Sequence, residues 1–340
     1  MRKIVEGFVH RPGVHCESSA IRDVLEYQGL RLSEEMVFGL DCTFGFVYWK
    51  QKTAIPPFHI GGKIRKFPNT LPRFLGIEVK RKTTSSHKKA WQSVKDKLDK
   101  DIPVPIFADI YYIDYMNVPK EPWNHFGAHM IVMAGYDEER GEAYVADTNF
   151  NGLQGISLKS LAEARNSKYK PFSPRNTWFN INMPAKTRPL DQAAKKALLE
   201  TAKDMLNPPS RNFGIQGIRQ LANDLLKWPK ILDSKQLKLA LLLSYIDMEE
   251  AGTGGGNFRK IYSRFLKEAG KLISDKNLPK ASDKLNKSAS MWSEIARSLL
   301  KASQLENTEE LLSTIHQDII ECANIEEEVF SAFYSQLKVT

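Results

Sequence analysis

The stretch Val14-His15-Cys16-Glu17-Ser18-Ser19 places a cysteine directly after a turn, Pro12-Gly13, and in the first turn of a predicted helix. The helix extends to about Tyr27 and stops at Gly29, because its apolar residues recur at helical spacing. A thiol at a helix N-terminus faces unpaired N–H groups and the positive end of the helix dipole, which stabilise the thiolate. Cys16 is therefore a candidate nucleophile. The alternative is a cysteine that only packs in the interior, where this residue type is common.

Length and composition predict a two-domain protein without bound metal or cofactor. The 340 residues exceed the usual size of one domain, and 42% apolar residues are enough for ordinary cores. Three widely spaced cysteines make neither a disulfide framework nor a zinc pattern, which favours a reducing, cytoplasmic location. We expect Cys42 and Cys322 to be packing residues. The N-terminus lacks the apolar region of a signal peptide, and no apolar run approaches the roughly 20 residues of a membrane helix.

The net charge of +9 raises the question of nucleic-acid binding. The basic residues are mostly scattered, and the densest run, from Lys80 to Lys89, contains no aromatic side chains. We interpret this run as a solvated loop and helix start. The surplus of lysine and arginine suits an acidic protein partner equally well.

The residue pattern changes at a linker over residues 184–189. Before it, helix and strand signals are mixed, with strands predicted at 44–49, 58–64, 103–109, 128–136 and 142–147. After it only helical periodicity remains, with helices predicted at 190–206, 212–228, 234–250, 257–273, 279–303 and 307–337. The chain is therefore predicted to be an α+β domain over residues 1–184, with an antiparallel sheet plus helices, followed by an all-α helical bundle over residues 185–340.

The last two predicted strands form a hairpin around a polar turn, and its register decides which side chains share a face. We expect Tyr136 to lie opposite Glu142. His129 then lies opposite Asn149 and diagonal to Asp147, with all three side chains on one face. A shift of one residue would break this arrangement.

Cysteine on a helix, histidine on a strand and aspartate or asparagine on the next strand is the order found in papain. In such a constellation the cysteine attacks a carbonyl group, and the histidine accepts the thiol proton and passes it to the leaving group. The third residue fixes the histidine tautomer. The chain therefore carries the residues of a cysteine-dependent acyl-transfer site.

Residues 15–25, and residues 108–115 together with 125–137, resemble the butirosin-biosynthesis-protein-H family. Residues 214–225 and 252–269 are similar to the helical C-terminal region of that family, so the resemblance covers nearly the whole chain. It implies a papain-like N-terminal domain, related to bacteriocin-processing peptidases. It also implies a reaction of secondary metabolism, in which an aminoacyl group passes from an acyl carrier protein to a small-molecule amine.

Matched position by position, the resemblance makes Cys16 the nucleophile, His129 the general base and Asp147 the orienting residue. His10 stands six residues before the cysteine, where papain-like enzymes have a glutamine that donates to the oxyanion. A histidine donates one N–H but also titrates. The backbone N–H of Cys16 is expected to be the second donor.

Five further residues are candidates for substrate binding. Asp109 and Tyr112 are expected to line the acceptor pocket, although a carboxylate at a strand end is also a common structural hydrogen-bond partner. His125 is expected at the pocket edge, with the role of base left open for it. Asn149 is open as an alternative orienting residue, as an amide is in papain. Arg259, after a glycine-rich loop, is a candidate for holding a phosphate or carboxylate.

The leading functional hypothesis is acyl or aminoacyl transfer through a Cys16 thioester. A cysteine peptidase or amidase of the same fold is the second hypothesis, and a non-catalytic binding module is the third. The sequence leaves the acyl group, the acceptor and homo-oligomerisation open.

Overall fold

The computed structural model describes residues 1–51, 56–121 and 124–337, and the chain divides into two compact units. The first unit comprises Met1–Val37 and Gly76–Thr187, and the second comprises Phe38–Leu75 and Arg188–Thr340. The second unit resumes at Arg188, within the predicted linker over residues 184–189. Residues 38–75, however, belong to the second unit, whereas the sequence pattern assigned them to the N-terminal domain. A composition change along the chain does not reveal a segment that leaves one unit and folds with another.

The strands are β1 (Arg2–Ile4), β2 (Phe44–Lys50), β3 (Phe58–Lys63), β4 (Glu78–Lys82), β5 (Val104–Ala108), β6 (His129–Asp137), β7 (Glu142–Ala146), β8 (Leu153–Ser157) and β9 (Trp178–Asn182). The α-helices are α1 (Cys16–Tyr27), α2 (Glu34–Leu40), α3 (Thr70–Leu75), α4 (His87–Leu98), α5 (Leu158–Asn166), α6 (Leu190–Leu206), α7 (Gly214–Leu225), α8 (Trp228–Ile231), α9 (Ser234–Tyr245), α10 (Arg259–Leu272), α11 (Leu278–Ser303) and α12 (Glu309–Leu337). No helix among the described residues combines the length and apolarity that crossing a membrane requires.

The first unit is built on an antiparallel sheet in the order β4-β9-β5-β6-β7-β8, and β1 pairs with β6 as a seventh strand. Strand β6 is buried along its whole length and contacts three partner strands. Helix α1 packs on β6 and β5 through its apolar face. The predicted α+β architecture, with an antiparallel sheet plus helices and a helical C-terminal region, is confirmed.

The β6–β7 hairpin has a register that changes along its length. Next to the turn, Tyr136 pairs with Ala143 rather than with the predicted Glu142. An irregularity between Met133 and Gly135 then shifts the pairing by one residue, so that Val132 lies opposite Ala146 as the predicted register requires. The predicted register is therefore wrong by one residue next to the turn and correct at Val132, on the side of the bulge nearer to His129.

Helix α1 has the predicted bounds, and its end has a clear physical cause. Gly29 adopts a φ of 90°, a conformation that favours glycine, and the chain turns away from the helix there. The N–H of Leu30 donates to the carbonyl of Leu25 at 2.8 Å and closes the last turn.

The second unit contains the β2–β3 hairpin and the helices from α6 onwards. Six of these helices begin and end within a few residues of the predicted bounds, although α7 is shorter and α9 gives way to a π-helical turn at Ile246–Glu250. The short helix α8 was not predicted as a separate element. The core is strongly aromatic, and the Phe44 and Tyr262 rings stack at 4.2 Å.

Candidate active site

His129 and Asp147 form a buried pair where β6 begins and β7 has just ended. His129 Nε2 donates to Asp147 Oδ1 at 2.9 Å and lies 3.0 Å from Oδ2. Both side chains are buried, so water does not screen the interaction. Asn149, the alternative orienting residue, is exposed, and the carboxylate rather than this amide contacts the ring.

Tyr115 completes the surroundings of the carboxylate, a role that the sequence reasoning missed. Its hydroxyl donates to Asp147 Oδ2 at 2.9 Å. Burial alone would raise the pKa of Asp147, but the charge and hydrogen bond of His129, with the Tyr115 hydroxyl, hold that pKa below its usual value. The carboxylate is therefore ionised at neutral pH. Tyr115 ends the 108–115 segment used in the family resemblance, which was the available signal.

Cys16 is the first residue of α1 and is half-buried. His15 is the N-cap, and its ring accepts the Ser18 backbone N–H. The carboxylate of Glu34 accepts the backbone N–H groups of Val14 and His15, at 3.1 and 2.9 Å, and so fixes the turn before the cysteine. For the Cys16 N–H itself, no acceptor occurs in the described part of the chain.

The Cys16 thiol lies near enough to His129 to affect the pKa of the ring. Burial alone would lower the pKa of His129, but the charge and hydrogen bond of Asp147 outweigh burial, and Cys16 contributes in the same direction, so the pKa is raised. Because Asp147 occupies Nε2, Nδ1 is the nitrogen left to face the thiol. A protonated imidazole beside a thiol favours the thiolate–imidazolium pair that nucleophilic cysteines use.

Hydrogen bonds tie the segment around Cys16 to the loop that follows β7. The N–H of Gly13 donates to the Thr148 carbonyl at 2.8 Å, and the Ser19 and Thr148 hydroxyls lie 2.8 Å apart. Gly13 precedes the cysteine in sequence and Ser19 follows it, so the contacts lie on both sides of Cys16. They hold the start of α1 against the loop that carries Asp147, which brings the sulfur to the histidine.

His10 does not supply an oxyanion donor, which corrects the expectation for this residue. Its Nε2 donates to the carbonyl oxygens of Asp147 and Phe150, at 2.9 and 3.0 Å. Its Nδ1 lies 2.6 Å from Asp23 Oδ2. Both ring nitrogens are thus bonded within the protein, and His10 instead anchors the backbone of the orienting residue. In this part of the chain, the free Cys16 N–H remains the candidate donor.

His125 and Asp109 form a second buried histidine–carboxylate pair. His125 Nδ1 lies 2.8 Å from Asp109 Oδ2, and its ring stacks between those of Tyr111 and Tyr169, with centroids 3.9 and 3.3 Å away. Ser167 donates to the same carboxylate at 2.5 Å. Asp109 also caps the following turn, so the structure corrects its expected contact with substrate and makes it a hydrogen-bond partner within the chain.

Tyr112, expected in the acceptor pocket, lies in the short turn Ile110–Tyr112 that Asp109 caps. Its ring is tilted against that of His125 at 5.7 Å, and burial raises the pKa of its hydroxyl. The structure therefore brings Tyr112 and His125 together, whereas the histidine that contacts Asp147 is His129.

Arg259 lies in the second unit and is not available to an anion, which corrects the expectation of a phosphate or carboxylate site there. It is 0% exposed, and its Nε and Nη2 donate to the two carboxylate oxygens of Glu326 at 2.9 Å each. Its Nη1 donates to the carbonyl oxygens of Asn257 and Gly45. The guanidinium therefore donates its hydrogen bonds to groups in the core of the second unit and is not free to bind a ligand.

Cys42 and Cys322 are buried, which confirms them as packing residues. Burial raises the pKa of Cys42 to about 12 and also raises that of Cys322, so both stay as thiols at neutral pH. The described residues contain no group of three or more His, Cys, Asp or Glu side chains able to hold a metal ion.

Two sequence families match the chain. Residues 15–148 match butirosin biosynthesis protein H, N-terminal, and include Cys16, His129 and Asp147. Residues 159–333, just over half of the chain, match a domain of unknown function (DUF4872). No curated protein matches the chain. The chain therefore belongs to the family defined by this C-terminal domain, and its N-terminal part matches the N-terminal domain of butirosin biosynthesis protein H.

Proposed function

We propose that this protein is a cysteine-dependent acyltransferase of secondary metabolism, with a papain-like catalytic domain. The observation that carries the proposal is His129, whose ring has Asp147 on one nitrogen and the Cys16 thiol as its other partner. Cys16 stands at the start of a helix, where the dipole favours negative charge. Papain-like enzymes use the same order of residues and the same division of labour.

In the first half of the proposed reaction, the Cys16 thiolate attacks the carbonyl carbon of a thioester. The Cys16 N–H stabilises the oxyanion that forms, because it has no acceptor of its own among the described residues. When the intermediate collapses, the bond to the donor sulfur breaks and the His129 imidazolium gives its proton to that sulfur. The products are an acyl-Cys16 thioester and a free donor thiol.

In the second half, an amine attacks the acyl-Cys16 carbonyl and transfers a proton to the neutral His129. The carbon–sulfur bond breaks, so that an amide leaves and the thiolate–imidazolium pair is restored. Asp147 stays ionised throughout and stabilises the imidazolium, as the orienting residue of such a triad does. No oxidant, metal or external base is needed.

The donor is proposed to be an acyl carrier protein and the acceptor a small-molecule amine. The name of the matching N-terminal family refers to butirosin biosynthesis. The family resemblance implies an aminoglycoside amine as the acceptor. The net charge of +9 supports an acidic protein donor, since opposite charges steer association. The chemistry of Cys16 supports acyl transfer, whereas the family name and the net charge support the carrier protein and the amine.

The test is incubation with an aminoacyl thioester of a short thiol, followed by intact-mass measurement. We expect one acyl adduct on the wild type and on the matched control Cys322→Ala, and none on Cys16→Ala. Added amine should release the adduct as an amide faster than water does. Release by water alone at the same rate would make the protein a hydrolase, and the absence of any adduct would refute covalent catalysis.

A further inference from the structure

Arg165, at the C-terminal end of α5, is a buried cation without an anionic partner among the described residues. It is 2% exposed, and the contacts of its guanidinium are two long hydrogen bonds from Nη1 and Nη2 to the Ala90 carbonyl, each 3.3 Å. Its Nε is buried and has no hydrogen-bond partner in the described part of the chain. No carboxylate among those residues forms an ion pair with it.

Leaving such a group unpaired is expensive for the folded protein. Burial lowers the pKa of Arg165 to about 10, and at neutral pH the side chain still carries its charge. A buried charge normally has a counter-charge and satisfied hydrogen bonds, because desolvation costs several kcal/mol per ion. Arg259 in the same chain follows that rule through its bidentate pair with Glu326. Arg165 differs from Arg259 in that no carboxylate among the described residues pairs with it.

Arg165 is one of the residues that line a cavity of about 250 Å³ between α4 and α5. Its wall is mostly apolar and includes Trp91, Leu158, Leu161 and Ala162. Of the other polar residues of the wall, His87 and Asn176 both contact Asn166, at 2.6 and 3.0 Å, and Lys88 is exposed at the surface. Arg165 is therefore the buried cation of a wall whose apolar residues suit a short hydrocarbon chain.

We propose that this cavity binds a small carboxylic acid with a short apolar chain. The carboxylate would accept hydrogen bonds from the guanidinium, whose planar fork matches a carboxylate in geometry. The chain would lie against Trp91 and the two leucines. An inorganic anion would satisfy the charge but leave the apolar wall uncovered, so the wall favours a carboxylate that carries carbon. None of the lining residues belongs to the Cys16 site, and the proposal does not depend on acyl transfer.

The test is calorimetric titration of the full chain with hexanoate, and separately with acetate and inorganic phosphate. We expect hexanoate to bind best and to raise Tm. Arg165→Met should weaken hexanoate binding by about tenfold to a hundredfold, the range of a charge-assisted hydrogen bond. Ala162→Leu, which narrows the cavity and keeps the charge, should weaken it as well. The matched control Arg140→Met removes an exposed arginine and should bind like the wild type.

Stability of the unliganded variant separates a ligand site from a structural role. Replacing an unpaired buried charge by methionine should leave Tm unchanged or raise it. If Arg165→Met lowers Tm and no carboxylate binds the wild type, the arginine serves only to hold the Ala90 carbonyl, and the proposal fails. Equal binding by Arg165→Met and the wild type would also overturn it, as would binding of phosphate without hexanoate.

Discussion

Asp147→Asn keeps the shape of the side chain beside His129 and removes only its negative charge. In the wild type, burial works to lower the pKa of His129, and the Asp147 carboxylate at 2.9 Å reverses that effect. Without the charge, burial dominates and the pKa of His129 falls. The imidazolium that donates a proton to the leaving thiol is then lost at a lower pH, so the alkaline limb of the acylation rate moves towards acid.

The size of this movement follows from the hydrogen bond that is weakened. A hydrogen bond to a charged group contributes about 1.5–3 kcal/mol, and about 1.4 kcal/mol corresponds to a tenfold change in protonation. The midpoint of the alkaline limb should therefore move by about one to two pH units. In acid solution the imidazolium persists in both proteins and the rates should be similar. The loss should grow as pH rises and reach about tenfold to a hundredfold above the wild-type midpoint.

The assay is kcat/KM for acylation by the short-thiol thioester, measured from pH 5 to the limit of protein stability. Asn149→Ala is the matched control, because this residue is an exposed neighbour of Asp147 that does not contact the ring. Its pH profile should coincide with that of the wild type. If Asp147→Asn also keeps the wild-type alkaline limb, the carboxylate does not govern the protonation of His129, and the proposed role of this pair is wrong.

Three further substitutions test separate contacts. Tyr115→Phe removes the hydroxyl that donates to Asp147 at 2.9 Å and should lower acylation kcat by about threefold to tenfold, measured in the same assay. His10→Ala leaves two buried carbonyl oxygens without their donor and should cost about 1–3 kcal/mol of unfolding free energy, measured by urea denaturation. An unchanged midpoint would argue against the anchoring role of His10. Arg259→Met leaves the buried Glu326 unpaired and should cost about 3–5 kcal/mol, measured in the same way. A loss below about 1 kcal/mol would show that Glu326 takes up a proton at little cost.

The helical C-terminal region was predictable because each helix carries its own signals. The bounds of α6, Leu190–Leu206, follow from an apolar stripe between the linker and the break at Asn207-Pro208. Strands β4 and β9 were missed for the opposite reason. Their Cα partners are distant in sequence, as with Val79 and Ile181, and the short segments show no strong alternation of their own.

The candidate site was predictable in its residue types and only partly in its geometry. Helix α1 and the β6–β7 hairpin are local structures, and their patterns placed a cysteine on a helix start and a histidine on a strand. Asp147 was separated from Asn149 only by the contact with His129, since both follow β7 in one loop. The buried pairing of Arg259 with Glu326 spans two distant helices, and no spacing rule links the two residues.

The meeting of Cys16 and His129 depends on contacts that belong to neither motif. His10 and Gly13 bind backbone groups of the loop after β7, and Ser19 binds a side chain there, so the start of α1 is fixed on both sides of the cysteine. The position that holds a glutamine in papain-like enzymes holds His10 here, and its two ring nitrogens bind Asp23 and the Asp147 backbone instead of an oxyanion. Matching by position predicted that His10 donates to the oxyanion. The hydrogen bonds of His10 instead join the segment before Cys16 to the backbone of Asp147. In the proposed mechanism, the Cys16 backbone N–H therefore stabilises the oxyanion without the second side-chain donor that papain-like enzymes have.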